Sequence, residues 1–142
     1  MVCVDFRKLN AKTVRDVYPI PTIAETLGAL HGAKWFCSLD LQSGYLQVDM
    51  HEADKPTTAM IKPFGLYEFN RIPFGLTNAP ATFQQLMERC LAGLNLKICL
   101  VYLLDDVVFG RAAVLKHLGD LGLKLKASKC KLFKRSCHTL VM

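Results

Sequence analysis

Three aspartates interrupt stretches of this sequence that are otherwise apolar. Asp40 lies in the run 35–41, while Asp105 and Asp106 follow the run 98–104. Because a buried charge without a partner is too costly for a fold to keep, these carboxylates need a cation. Carboxylate oxygens suit Mg²⁺, and two such ions about 3.5 to 4 Å apart can clamp a phosphoryl displacement. A polar hairpin turn at 105 and 106 explains the same residues without a metal.

The strongest helix pattern lies in the middle of the chain. Thr77 and Asn78 can cap this helix, and Pro80 falls in its first turn, where its missing N–H has no cost. Apolar side chains then recur at helical spacing opposite polar ones, which predicts a helix with one face in the core. These apolar residues are Phe83, Leu86, Met87, Cys90, Leu91 and Leu94.

Shorter patterns predict the elements around this helix. Strands are expected at 35–41, 98–104 and 107–109, an extended segment at 45–50, and a hairpin joining 57–61 to 66–69. Short helices are expected at 22–31 and 115–121, and a surface strand or hairpin at 123–133. Together these elements predict an α+β fold in which an antiparallel sheet carries the acids and helices cover its other face.

Length and charge restrict the class of protein. The chain has 142 residues, 51% of them hydrophobic, which fits one domain with a single core. Its net charge is +6, and residues 111–142 hold eight Lys or Arg against one Asp. Such a concentration of positive charge favours a polyanionic partner, nucleic acid before membrane. A solvated lysine-rich face explains the same charges without a partner.

The sequence favours an intracellular protein that is not secreted. No apolar run approaches the roughly 18 to 20 residues that a membrane span needs, and the first ten residues carry charges where a signal peptide is apolar. The six cysteines show no metal-binding spacing, so we expect reduced thiols that mostly fill the core.

Five motifs occur in an order that resembles the reverse transcriptase palm region of gypsy-class long-terminal-repeat retrotransposon polyproteins. They are VDFRKLN at 4–10, SLDLQSGY at 38–45, PFGLTNAPATFQ at 73–84, DD at 105–106 and GLKLKASKCKLF at 122–133. The resemblance implies a truncated reverse transcriptase domain over 1–142, with partial fingers at 1–35 and 51–72 and palm at 36–50 and 73–142. It also implies that the thumb, connection and ribonuclease H parts are absent.

The resemblance implies an RNA-directed DNA polymerase that uses two metal ions to join a dNTP to a primer 3′-hydroxyl. Asp40 and Asp105 would bind both ions, Mg²⁺ with Mn²⁺ as the alternative, together with the main-chain carbonyl of Leu41. Asp106 would be the neighbouring, less direct catalytic acid. Lys129 would protonate the leaving pyrophosphate, with Lys126 as a close alternative.

The resemblance also assigns the residues that contact nucleotide and nucleic acid. Tyr45 would pack under the incoming sugar and exclude a 2′-hydroxyl, although a half-buried strand tyrosine is the simpler interpretation. Phe74 and Gly75 would touch the nucleotide. A template of RNA or DNA with its primer would be the partner, and the oligomeric state stays unknown. Its contacts would include Arg7, Asn78, Pro80 and Gln84.

Two departures from the family pattern bear on activity. Two leucines separate Tyr102 from Asp105, where the family has one residue. Along a strand, one extra residue reverses the face of every side chain, unless a bulge absorbs it. The segment between Asp106 and Gly122 is also shorter than usual. We therefore expect little or no processive polymerase activity from this chain. The alternatives are a catalytically dead retroelement relic that only binds nucleic acid and an unrelated nucleotide enzyme such as a cyclase.

Overall fold

The computed structural model describes residues 4–19, 28, 31, 34–94, 99–102, 106–109 and 113–135. The helix predicted at 22–31 falls outside them, apart from positions 28 and 31. The described helices are α1 (Arg7–Asn10), α2 (Ala79–Cys90) and α3 (Ala113–Asp120), with 3₁₀ helices at Gly44–Gln47 and Glu52–Thr58. The described strands are β1 (Phe36–Asp40), β2 (Met60–Lys62), β3 (Gly65–Tyr67), β4 (Cys99–Tyr102), β5 (Asp106–Phe109) and β6 (Lys131–Lys134).

Four strands form an antiparallel sheet in the order β4-β5-β1-β6. Strands β4 and β5 pair without a register shift, and β5 pairs with β1 in the same regular way. The pairing of β6 with β1 contains an irregularity between Phe36 and Ser38. The predicted strands at 35–41, 98–104 and 107–109 are therefore present within the described residues. The lysine-rich residues 123–135, the basic segment, contribute the fourth strand.

The core lies between one face of this sheet and helices α2 and α3. Side chains alternate between the two faces of a strand, and Leu39 and Leu41 enter the core while Asp40 lies on the opposite face. The predicted arrangement of an antiparallel sheet with helices on one face is confirmed. The helical side of the core consists of Phe83, Met87 and Leu91 from α2 and its C-terminus, and Val114 and Leu118 from α3.

Helix α2 matches its predicted apolar stripe, but the predicted cap by Asn78 is wrong. The Asn78 side chain makes no cap hydrogen bond. Its Nδ2 donates to the Val14 carbonyl at 2.9 Å, and its Oδ1 accepts from the Asp16 amide at 3.0 Å. The amide is used to hold the N-terminal segment, so it is not available to the first turn of the helix. Pro80 does lie in that first turn.

The extended segment predicted at 45–50 is also wrong over its first half. Ser43 adopts a left-handed backbone conformation (φ 52°), which reverses the chain just after β1. The 3₁₀ helix Gly44–Gln47 follows, with the Val48 amide donating to the Tyr45 carbonyl at 3.0 Å. The chain becomes extended only at Val48, after which Asp49 forms an isolated bridge with Arg71.

The remaining predicted elements are present with shorter bounds. Strands β2 and β3 form the predicted hairpin, but Thr57 and Thr58 belong to the preceding 3₁₀ helix. The described cysteines, Cys37, Cys90, Cys99 and Cys130, are free thiols. Burial raises the pKa of the Cys99 thiol to about 11, which keeps it protonated. Within the described parts of the chain, no helix is long and apolar enough to cross a membrane.

We expect Leu118→Ala to destabilise the fold by about 2 to 5 kcal/mol, because it leaves a cavity in the core. The Leu118 residue is 1% exposed, whereas Leu115 on the same helix is 44% exposed. Leu115→Ala is the matched control and should change stability by about 0.5 kcal/mol or less. Urea unfolding of both variants measures the difference, and equal losses would contradict this placement of α3.

We expect Gly75→Ala to cost about 1 to 3 kcal/mol, because Gly75 has φ +98°, a conformation that strains any residue with a Cβ atom. Gly119, within α3, has no atom within 4 Å of an added Cβ. Gly119→Ala should stabilise the protein by about 0.5 to 1 kcal/mol. Thermal unfolding should thus shift in opposite directions for the two variants.

Candidate functional site

Asp40 is a buried carboxylate at the C-terminal end of β1. The residue is 4% exposed, and its Oδ2 accepts a hydrogen bond from the Lys129 Nζ at 2.8 Å. The Lys129 side chain is 53% exposed, so the ammonium bridges the buried acid and solvent. Because an isolated buried charge is strongly unfavourable, this ion pair compensates part of the cost of burying Asp40.

Main-chain hydrogen bonds bring Lys129 to Asp40. The Lys126 amide donates to the Asp40 carbonyl at 2.8 Å, and the Lys129 amide donates to the Lys126 carbonyl at 2.9 Å. An antiparallel bridge joins Leu41 to Leu125 just before this turn. The turn therefore places the Lys129 side chain over Asp40, while Lys126 holds the turn through its backbone. Of the two lysines considered from the sequence, Lys129 is the one whose ammonium contacts Asp40, and its role as proton donor stays a prediction.

A second acid lies on β5, the strand next to β1. Asp106 is the direct register partner of both Asp40 and Tyr102. Directly opposed residues of antiparallel strands have Cα atoms about 4.5 to 5.5 Å apart, so position 106 is a neighbour of Asp40. Asp105 lies outside the described residues, and among the described ones no three His, Cys, Asp or Glu side chains are grouped to hold a metal.

The described strands on either side of the extra leucine pair regularly. Tyr102 pairs with Asp106, and the ladder from Cys99 to Tyr102 contains no bulge. Residues 103–105, which include both leucines and Asp105, lie outside the described residues. The expected reversal of faces at this motif therefore stays a prediction.

Tyr45, in the 3₁₀ helix that follows β1, and Phe74, in the loop before α2, form an aromatic pair, the aromatic floor. The Tyr45 ring is buried and packs edge-on against Phe74, with 5.4 Å between centroids, and against Phe83, with 5.5 Å. Phe74 is 41% exposed and is followed by Gly75. Since Tyr45 lies in a 3₁₀ helix and is buried, its interpretation as a half-buried strand tyrosine is wrong. The 3₁₀ helix after β1 thus buries Tyr45 beside the partly exposed ring of Phe74.

The residues predicted to contact nucleic acid differ in accessibility. Arg7 is exposed and forms an ion pair with Asp5, which lowers the pKa of that carboxyl. The Asn78 amide is bonded to the N-terminal segment, and Pro80 is partly buried. Gln84 is buried and donates to Glu88 Oε1 at 3.0 Å. Contacts of these four residues with nucleic acid stay predictions.

Sequence reasoning missed two residues whose amides organise the site. The Asn10 Nδ2 donates to the Gly75 carbonyl at 2.7 Å, and its Oδ1 accepts from the Thr77 amide at 2.9 Å. The Gln47 side chain contacts the backbone of Gln42 and Lys124. Each is the last residue of a helix of only four residues, too short to show a period, so only three-dimensional contacts identify them.

The whole chain, residues 1–142, matches the family model described as Reverse transcriptase (RNA-dependent DNA polymerase). It is 41% identical to the Pol polyprotein from transposon 297 of Drosophila melanogaster, over 98% of this chain and 14% of that protein. It is 40% identical to the corresponding polyprotein from transposon gypsy of the same organism, over 96% of this chain and 14% of that protein. The chain therefore spans about a seventh of these relatives.

A solved structure has a similar backbone. The foamy viral protease-reverse transcriptase in complex with double-stranded DNA superposes with a TM-score of 0.78 at 21% identity, covering 94% of this chain and 25% of that one. That likeness supports the fold. The order of the five motifs, the full-length family match and the identity to gypsy-class polyproteins lead to one assignment. The chain belongs to the reverse transcriptase (RNA-dependent DNA polymerase) family.

Proposed function

We propose that this chain is the catalytic palm of an RNA-directed DNA polymerase, which joins a dNTP to the 3′-hydroxyl of a primer paired with RNA or DNA. The observation that carries this proposal is the buried Asp40 carboxylate, held by the Lys129 ammonium and opposed by Asp106 across the β1–β5 ladder. Acids on neighbouring strands beside a partly exposed cationic side chain suit phosphoryl transfer, in which positioning and charge stabilisation provide most of the catalysis.

The described donors fit a hard divalent cation. Asp40 offers a desolvated carboxylate, and a second acid occupies the opposing position, as oxygen-ligated metal sites require. Reverse transcriptases use divalent metal ions. We propose two Mg²⁺ ions, for which Mn²⁺ can substitute, held by Asp40, the Leu41 carbonyl and Asp105, with Asp106 beside them. Bound there, the ions would stabilise the charge on the attacking and leaving oxygens.

The other residues of the site position the nucleotide and move one proton. Lys129 carries a proton on Nζ and can deliver it to the leaving pyrophosphate oxygen. Tyr45 and Phe74 provide the floor under the sugar, where Tyr45 leaves no space for a 2′-hydroxyl. At Gly75, the missing side chain and the positive φ let the backbone approach the nucleotide closely.

The basic segment supplies attraction for the template and primer. Besides Lys129, five of its cationic side chains are exposed around β6 and the turn before it, where they can neutralise phosphates. The foamy viral protein was solved in complex with double-stranded DNA, which supports a nucleic-acid partner for this chain as well. The five exposed cationic side chains of the basic segment belong to Lys124, Lys126, Lys131, Lys134 and Arg135.

Asp40→Asn should reduce Mg²⁺-dependent nucleotide addition at least about 100-fold, because it removes one charge from the proposed metal site. Addition of one dTMP to oligo(dT) on poly(rA) measures this without requiring processive synthesis. The control is Asp54→Asn, an exposed acid in the 3₁₀ helix Glu52–Thr58, which should keep the parental rate. Asp105→Ala should behave like Asp40→Asn.

Equal addition by the parent and Asp40→Asn would contradict the proposed role of Asp40. A parent chain that binds the template in a salt-dependent way, yet adds no nucleotide, would favour the alternative of a relic that only binds nucleic acid. The extra leucine before Asp105 is the feature that supports this alternative.

Lys129→Gln should lower kcat for nucleotide addition by about 100-fold, the lower end of the range for loss of a general acid. Lys126→Gln is the matched control. It should instead weaken template binding and reduce the salt dependence of binding by about one charge. Single-turnover rates and template binding between 50 and 200 mM salt, about the range over which such contacts weaken, separate the two effects. The same loss of kcat in both variants would contradict a specific role for Lys129.

A further inference from the structure

Near the end of β1, the side-chain amide of Gln47 makes hydrogen bonds with a backbone that a residue of a neighbouring strand would otherwise make. Its Oε1 accepts from the Lys124 amide at 2.6 Å, and its Nε2 donates to the Lys124 carbonyl at 2.9 Å. The same Nε2 also donates to the Gln42 carbonyl at 2.7 Å. One side chain therefore satisfies both backbone groups of Lys124 and ties them to the residues that follow Asp40.

This amide acts where the regular ladder is weak. The pairing between β1 and β6 is irregular between Phe36 and Ser38, and beyond β1 only the isolated bridge of Leu41 with Leu125 is formed between described residues. Two backbone hydrogen bonds form this bridge, from the Gln42 amide to the Lys124 carbonyl at 2.9 Å and from the Lys126 amide to the Asp40 carbonyl at 2.8 Å. The position of the turn that carries Lys129 thus depends on few contacts, and Gln47 supplies two of them.

Gln47 is itself fixed from the opposite side. The Arg71 Nη1 donates to the Gln47 carbonyl at 2.9 Å, and Arg71 also forms an ion pair with Asp49 at 3.0 Å. Gln47 closes the same 3₁₀ helix that contains Tyr45. It consequently connects the aromatic floor to the lysine-bearing turn.

We propose that Gln47 is a positioning residue, which holds the turn at 124–130 against the end of β1 and thereby keeps the Lys129 ammonium on Asp40. Its hydrogen bonds to other described residues reach Gln42, Lys124 and Arg71, not Asp40 or Lys129. Its effect on the reaction rests on the function proposed above, whereas its effect on the place of Lys129 is a property of the folded chain alone.

Reductive methylation of the lysines, quantified residue by residue by mass spectrometry, tests this position without requiring activity. In the parent, Lys129 should react more slowly than Lys126. Gln47→Leu should raise the Lys129 to Lys126 rate ratio about tenfold, the change expected on opening one hydrogen bond to a charged group. Gln42→Leu is the matched control, since Gln42 contributes only its backbone groups and should leave the ratio unchanged.

Gln47→Glu keeps the acceptor for the Lys124 amide but removes both donated hydrogen bonds, so it should raise the ratio by less than Gln47→Leu does. A thermal unfolding transition close to that of the parent shows that each variant is folded. An unchanged ratio in folded Gln47→Leu and Gln47→Glu overturns the proposal.

Nucleotide addition separates this proposal from the one on which it builds. If the parent is active, Gln47→Leu should lower kcat about tenfold with little change in KM for dTTP. The reason is that this variant displaces Lys129 but leaves nucleotide binding intact. A tenfold change in KM for dTTP with kcat unchanged would contradict the proposal that Gln47 positions Lys129. If the parent adds no nucleotide, the proposed function fails, and the methylation ratio still decides the role of Gln47.

Discussion

The two-residue period of β1 is the constraint on which the site depends. Leu39 and Leu41 are fixed in the core by α2 and α3, so the residue between them must lie on the opposite face of the sheet. A charged residue at that position can remain almost completely buried only if a cation accompanies it. The hydrophobic core thus determines where the acid lies, and the acid in turn creates the need for Lys129.

Side-chain amides replace regular secondary structure around this strand. Asn10, Gln47 and Asn78 each use both the oxygen and the nitrogen of the amide on main-chain groups distant in the sequence. Such contacts satisfy backbone polar groups in segments that have no neighbouring strand or helix turn. They let short irregular segments keep a fixed geometry next to the sheet without lengthening any strand.

Elements with a strong hydrophobic period were predicted correctly from the sequence. The predictions failed where the local backbone conformation or contacts with distant residues determine the structure. Helix α2 and strand β1 have clear patterns, because each buries one face. The turn at Ser43 has no such signal, since a left-handed serine is not visible in composition. The cap predicted for Asn78 failed because the same side chain can serve either the helix or the segment at 14–16, and tertiary contacts determined the choice.

The Asp40–Lys129 contact joins residues 89 positions apart in the chain. Contacts with such a separation close large loops, and their entropic cost is offset only after the intervening elements have packed. During synthesis from the N-terminus, β1, the 3₁₀ turn and α2 all emerge before the lysine that completes the ion pair. The buried acid therefore acquires its cation last, and the site becomes complete only when the turn at 124–130 has left the ribosome.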